Sequence, residues 1–253
     1  MTETAKEKAR QLRESYIKHA ALAQIYRWWQ YYDARAIGLS NCQDAHSLRA
    51  STIHLQVDGA ITVAAEIEHL NMGIDPGGCV MKSTAYCNAV LRRTDALLPK
   101  ITEIRITEGE LQRADEFRPA YAENRIRSLV HYFTALVENP GRDPQPFREL
   151  LAEGFRLHYI DPPIDSFDAL ATWVAGPLSS VVASNHVVSD IDLEELGDGE
   201  YLATVGMRSE AMFPDGSGIA SSNTQSWTVT DDKSERFARI RKITIRRDAV
   251  HRF

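Results

Sequence analysis

Cysteine is scarce, long apolar runs are missing and positive charge is not in excess. Each shortage removes a class of function. Cys42, Cys79 and Cys87 are an odd number with no C-x-x-C spacing, so neither a disulfide framework nor a zinc cage is expected, and a reducing, cytoplasmic setting is. No apolar stretch approaches the roughly 18 residues that span a bilayer. The opening MTETAKEKARQLRES is charged, without the apolar core of a signal peptide. With 29 Lys and Arg against 35 Asp and Glu, the net charge is −6, which argues against nucleic acid or an anionic membrane as a partner. HExxH, P-loop, GxSxG and GxGxxG motifs are absent, so zinc-protease, nucleotide and serine-hydrolase chemistries lack their apparatus. The eight histidines show no ligand spacing, and no metal or cofactor is expected. His19, His46, His131 and His251 have no evident partner in the sequence.

What is present suits a globular chain: 43% hydrophobic residues in 253 supply a core for one large domain or two smaller ones. Residues 3–35 carry Leu12, Tyr16, Ile17, Ala20, Ile25, Trp28, Trp29 and Tyr32 at helical spacing and end in the aromatic YRWWQYYD. ASTIHLQV and AITVAAEIEHL alternate as strands about Asp58-Gly59, a hairpin signal. KSTAYCNAVL and KITEIRIT follow, and residues 108–119 read as a charged connector. The second half holds an amphipathic helix at Leu129–Val137, a short PFRELLAEGF, the strand FRLHYIDP, a helix in DSFDALATWVAGPLSSVVA and four strands ending at ARIRKITIRR.

The two halves resemble each other. VVSDIDLEELGDGEYLATVGMRSEAMFPDGSG matches RASTIHLQVDGAITVAAEIEHLNMGIDPGG, with DG hairpins and PDG or DPG turns in corresponding places. Self-similarity over such a length points to duplication. The first copy lacks a counterpart of Phe155–Ala183. The expected domains are therefore an abbreviated copy, 1–115, and a complete one, 116–253.

PFRELLAEGFRLHYIDPPIDSFDALATWVAG, HVVSDIDLEELGDGEYLATV and QSWTVTDDKSERFARIRKITI together resemble the nuclear transport factor 2-like superfamily, in its SnoaL-like and ketosteroid-isomerase-like members, over about 120–247. The resemblance implies an α+β fold in which a curved antiparallel sheet wraps helices as a cone, here as two tandem copies, and a homo-oligomer, dimer or trimer. It also implies site residues. HYFTALVEN places Tyr132 where those isomerases carry an oxyanion-donating tyrosine, and HYIDP places Asp161 at their general base. Their second donor falls near Gln225, whose amide donates a hydrogen bond but no acid proton. Tyr31, Tyr32 and Asp33 lie near a Tyr/Asp pair of dehydratase-type relatives, and Trp28 falls opposite Tyr132 when the helices are superposed.

These residues compose a site on paper: Asp161, Tyr132, Asp33 and Tyr32 as catalytic candidates, and His158, His186, Trp173, Gln225, Trp227, Arg208, Trp28 and His54 as substrate-binding ones. A carboxylate at the rim of an apolar cavity gains basicity by desolvation, and a buried phenol stabilises an enolate or alkoxide. Competing structural roles exist for each. Asp161 before two prolines suits a turn, Tyr132 suits plain core, and YRWWQYYD suits a sheet cover or subunit interface. The expected function is a cofactor-independent lyase or isomerase acting on a hydrophobic, aromatic or polycyclic small molecule, by dehydration or retro-aldol-like deformylation. The resemblance extends to cofactorless deformylating lyases of lignin-derived diarylpropanes. The alternative is a non-catalytic ligand-binding or dimerisation module.

Overall fold

The computed structural model describes residues 8–10, 12–36, 43–73 and 77–253, of which 35 and 36 are described by their backbone alone. The start of the expected N-terminal helix, Cys42 and Ile74–Pro76 of the expected turn lie outside the described residues. The chain forms two compact units: Ala20–Ser128 is one, and residues up to His19 join Leu129–Phe253 in the other. We call them the N-terminal and C-terminal units. The boundaries fall inside two helices, α1 (Ser15–Ala36) and α2 (Tyr121–Glu138), rather than in the connector at 115. The physical reason is apolar burial at the chain's start: Ala9 and Leu12 form a buried cluster with Ala183 and Met212.

In the N-terminal unit, β1 (Gln43–Leu55), β2 (Ala60–Met72), β3 (Val80–Arg92) and β4 (Lys100–Glu108) form an antiparallel sheet in that order. The expected connector contributes a short β5 (Gln112–Ala114) that pairs with β3. The β1–β2 hairpin turns at Asp58-Gly59 as its sequence predicts. Gly59 adopts φ +79°, a conformation that penalises a Cβ, and the Asp58 carboxylate accepts from the Ala60 N–H at 3.0 Å. Ile61, Val63, Ala65 and Ile67 alternate along β2 and are buried, the period of a half-covered sheet.

The C-terminal unit has the end of α2, a 3-10 turn at Gln145–Glu149, β6 (Leu151–His158), α3 (Phe167–Ala175) and β7 (Ala183–Gly197), β8 (Glu200–Met212), β9 (Gly218–Thr230) and β10 (Arg239–Arg252). The sheet order is β6-β10-β9-β8-β7. Strand β6 runs parallel to β10 and all other pairs are antiparallel. Ser166 caps α3 by accepting from Ala169 N–H, as Ser does at a helix start. This is the helix, short helix, strand, helix, four-strand order that the sequence pattern predicts, with the short helix a 3-10 turn, so the α+β class and the duplicated plan are borne out. No counterpart of β6 and α3 occurs among the described residues of the N-terminal unit.

Candidate active site

Alternation along three strands turns one set of side chains toward the helices of the C-terminal unit. Ser184 and His186 on β7, Met207 and Ala211 on β8, and Gln225 and Trp227 on β9 share a face. Phe133, Thr134 and Val137 of α2 oppose them, with Trp173 of α3, Leu178, Val181 and Tyr159 closing the ends. Together they line a half-open cavity of about 180 Å³. An apolar cavity of roughly 150 Å³ accepts benzene, so this one has room for a single aromatic ring with a short substituent. Its walls offer stacking surfaces: Tyr159 stacks on Trp173 at 5.8 Å, and Phe133 meets Trp227 edge-on at 5.2 Å.

The polar groups on this wall are unequal. His186 is held by Glu138 of α2, whose Oε1 accepts from both the His186 backbone N–H at 2.5 Å and ring Nδ1 at 2.8 Å. A proton on Nδ1 leaves Nε2 as the free lone pair of the neutral ring. The Glu138 carboxylate is 1% exposed, and its Oε2 has no hydrogen-bond partner among the described residues. The His186 carbonyl accepts from His19 Nε2 at 2.6 Å. His19 Nδ1 meets His131 Nδ1 at 2.8 Å. Burial lowers the His19 pKa, outweighing the attraction of Glu138. Because the carbonyl requires a proton on His19 Nε2, its Nδ1 accepts from His131.

Tyr159 follows β6 directly. The reciprocal Leu157–Ile164 backbone bonds, 2.8 and 2.9 Å, pinch the loop that carries it. Burial alone raises its phenol pKa far above the ordinary value, so it stays a proton donor, and its backbone carbonyl accepts from Arg247 at 3.3 Å. Gln225 lines the cavity but is committed: Nε2 donates to Asn223 Oδ1 at 3.0 Å and lies 3.3 Å from Met207 Sδ, while Oε1 accepts from Trp227 Nε1 at 3.0 Å. The oxyanion donation expected of it has no hydrogen left to use.

Of the twelve residues expected at a site, the structure brings four together at this cavity: His186, Trp173, Gln225 and Trp227. Asp161 is exposed in the pinched loop and does not line the cavity. Tyr132 is buried but stacks on Phe237 at 5.0 Å. It precedes Phe133 by one residue, about 100° around the helix, which turns it from the cavity wall. The expected convergence of Asp161 and Tyr132 does not occur. Arg208 is exposed because it alternates with inward Met207. His158, half-buried at the end of β6, is not part of the lining, and its Nε2 has no hydrogen-bond partner among the described residues. His54 is exposed on β1.

Asp33, Tyr32 and Trp28 belong to the N-terminal unit, with a second carboxylate–histidine pair. Asp33 Oδ2 accepts from the His46 N–H at 3.1 Å and Oδ1 meets His46 Nδ1 at 2.5 Å. Burial raises the Asp33 pKa against the opposing pull of His46. Trp29 covers one side of the His46 ring at 4.4 Å and His69 stacks on it at 4.2 Å. His69 Nε2 in turn meets Asp44 Oδ1 at 2.9 Å, which Asn71 Nδ2 also reaches. Burial opposes ionisation of Asp44, but these hydrogen bonds outweigh it and lower its pKa. Tyr32 packs flat on Trp28 at 4.9 Å and edge-on to His46 at 5.4 Å. A hollow of only about 60 Å³ borders Asp33 and Asp44. No group of three or more His, Cys, Asp or Glu among the described residues is placed to hold a metal ion.

Sequence reasoning missed Glu138 and Tyr159, and left His46, His19 and His131 without partners. The signal for Glu138 was available. YYD and LVE close corresponding helices, and an acid that ends one copy's helix near a strand histidine predicts the same in the other.

No family model and no curated relative matches the sequence. Among solved structures, the chain is similar to a candidate scytalone dehydratase from Novosphingobium aromaticivorans, at 12% identity over 52% of this chain and 87% of that one, with a TM-score of 0.45. It is similar to the hexachlorocyclohexane dehydrochlorinase LinA type 3 of Novosphingobium barchaimii, at 10% identity over 52% and 90%, with a TM-score of 0.44. A third is a nuclear transport factor 2-like superfamily protein from Salmonella enterica, at 10% identity over 51% and 93%, with a TM-score of 0.45.

Proposed function

We propose that the C-terminal unit is a cofactor-independent lyase for an uncharged aromatic β-hydroxy carbonyl compound of single-ring size. One observation carries the reading: a histidine with only Nε2 uncommitted, backed by a buried carboxylate, stands on the wall of an aromatic cavity. Among the described residues the lining contains no Lys or Arg, so a carboxylate or phosphate on the substrate would be buried unpaired, at a cost of several kcal/mol. The volume favours one ring over a polycyclic substrate.

In dehydration, His186 Nε2 takes the proton alpha to the carbonyl and becomes an imidazolium beside Glu138. The electron pair moves to the carbonyl oxygen, where the Tyr159 hydroxyl donates to the enolate. The enolate then expels the β-hydroxyl, which leaves as water with the proton from His186. In the retro-aldol direction His186 takes the β-hydroxyl proton, the bond between the alpha and beta carbons breaks to release the aldehyde, the electron pair passes to the same oxygen under Tyr159, and the enolate then takes the proton back from His186 at its alpha carbon to leave as the ketone. A base and one oxyanion donor serve both routes.

The test uses the aldol of benzaldehyde and acetone. Benzalacetone as product indicates dehydration, and benzaldehyde with acetone indicates retro-aldol cleavage. His186→Ala should lose about 10²- to 10⁴-fold in rate. Binding without turnover in the wild type, or turnover that His186→Ala leaves intact, overturns the reading.

A second reading places acid–base chemistry at Asp33–His46, favoured by the same carboxylate–histidine geometry there. The rings of Trp29 and His69 against His46 weigh against substrate access. Loss of turnover in His46→Ala with His186→Ala unaffected would select it.

A further inference from the structure

We propose that His19 is a positioning residue for the His186–Glu138 dyad, supplied by the N-terminal helix to a site otherwise built from residues after Leu129. The inference rests on the reading of that site as catalytic.

Strand β7 is the outer edge of its sheet, and an edge strand presents backbone groups that no neighbouring strand satisfies. At His186 they are met by side chains. Glu138 takes the N–H and Nδ1, and His19 Nε2 donates to the carbonyl at 2.6 Å. Every polar atom of His186 except Nε2 is thereby fixed. Ser15, one helical turn before His19, donates Oγ to Asn185 Oδ1 at 2.7 Å, so one face of α1 grips two successive residues of β7. His19 is itself locked as the Nε2–H tautomer by His131, whose ring stacks on it at 5.1 Å.

The N-terminal unit carries the same device in different residues. His46 lies on the edge strand β1. Asp33 takes its N–H and Nδ1, and Asn124 Nδ2 donates to its carbonyl at 2.8 Å. The helices exchange roles: α1 gives the carbonyl donor to His186 and the carboxylate to His46, and α2 does the reverse. In each helix the donor precedes the carboxylate by fourteen positions (19 and 33, 124 and 138). Histidine in one copy and asparagine in the other share only the ability to donate to that carbonyl, which marks the hydrogen bond as the working part.

The experiment compares His19→Gln and His19→Asn in the full chain. Glutamine's amide nitrogen reaches where imidazole Nε2 sits, and asparagine's stops near Nδ1, so the two differ in reach and little in polarity. Nitrogen-15 spectra of the histidine rings, recorded without ligand, read the His186 tautomer. Turnover of the benzaldehyde–acetone aldol reads kcat and KM. His19→Gln should keep the Nδ1–H form of His186 and wild-type kcat. His19→Asn should give a mixed tautomer and lower kcat by about ten- to a hundredfold at unchanged KM, the scale of small displacements of a catalytic group. Asn124→Ala should disturb the His46 signal and leave His186 alone. A His186 tautomer identical in wild type and His19→Asn overturns the proposal whether or not the aldol is turned over. Absence of wild-type turnover with the tautomer shift present overturns only the catalytic reading.

Discussion

Glu138→Gln separates the charge of the dyad from its geometry. Both donors of His186 converge on the single oxygen Oε1, while Oε2 is buried without a partner among the described residues. A glutamine can therefore keep its carbonyl oxygen at Oε1, retain both hydrogen bonds and place its NH2 on the vacant side. What disappears is the negative charge. An imidazolium and a carboxylate about 4 Å apart attract by roughly 4 kcal/mol at an effective dielectric of about 20. If half that charge has developed in the transition state, about 2 kcal/mol is lost, or roughly thirtyfold in rate; full development gives about a thousandfold. Glu138 is absent from the cavity lining, so KM should hold while kcat falls. The assay is steady-state turnover of the benzaldehyde–acetone aldol, with thermal unfolding as the control for the fold. A Glu138→Gln enzyme with kcat within twofold of wild type refutes the role given to the carboxylate. So does a fall in melting temperature large enough to account for the lost rate.

Asp33→Asn should behave differently, because the two His46 donors go to different oxygens of Asp33. One would face an NH2, so chemical denaturation should show a loss of about 1–3 kcal/mol. Tyr159→Phe should cut kcat by about 10²- to 10³-fold with stability within about 1 kcal/mol of wild type. A His19 pKa below its unfolded value of 6.5 means that the unfolded chain takes up a proton the folded one refuses as pH falls below 6.5. Stability should then decline with falling pH in that window, by up to about 1.4 kcal/mol per pH unit, and His19→Gln should flatten the decline in pH-dependent denaturation. Asp161→Asn, exposed and away from the cavity, should leave turnover unchanged.

The fold was legible in the sequence because local signals agreed with one another. Asp58-Gly59 and Asp198-Gly199 mark hairpins, and period-two alternation gives the strands a buried face. The walls of the site were partly legible for the same reason: Gln225 and Trp227 alternate on β9, and a cavity between sheet and helices is lined by the face that would otherwise be core. The polar centre was less legible because hydrogen-bond partners lie far apart in sequence: Glu138 with His186, His19 with His131, Asp33 with His46. The proline after Asp161 marks a motif but not the direction in which the carboxylate points. Orientation decided otherwise, since a step of one residue on α2 separates stacked Tyr132 from cavity-lining Phe133. The division of units was hidden by helix continuity, which no composition shift announces at His19 or Leu129.

Two histidines at matching edge positions present a physical problem before they present a chemical one. An unpaired N–H and C=O on an edge strand against packed helices must find partners, or cost about 1–3 kcal/mol each. A carboxylate that accepts from both the backbone N–H and the ring Nδ1 of one residue meets two needs at once, and it orients the ring as a consequence. The clamp is present in both copies, and chemistry depends on what the ring borders. In the C-terminal unit that is an aromatic cavity of about 180 Å³. In the N-terminal unit the ring lies against Trp29 and His69. Trp29→Ala would uncover one face of His46, at a cost of about 3–5 kcal/mol for a fully buried tryptophan. If the clamp is intrinsically competent, a variant that survives this loss should gain aldol turnover that disappears again in Trp29→Ala/His46→Ala. If uncovering His46 adds no such activity, the clamp is structural there and the C-terminal cavity supplies more than a place for substrate to sit.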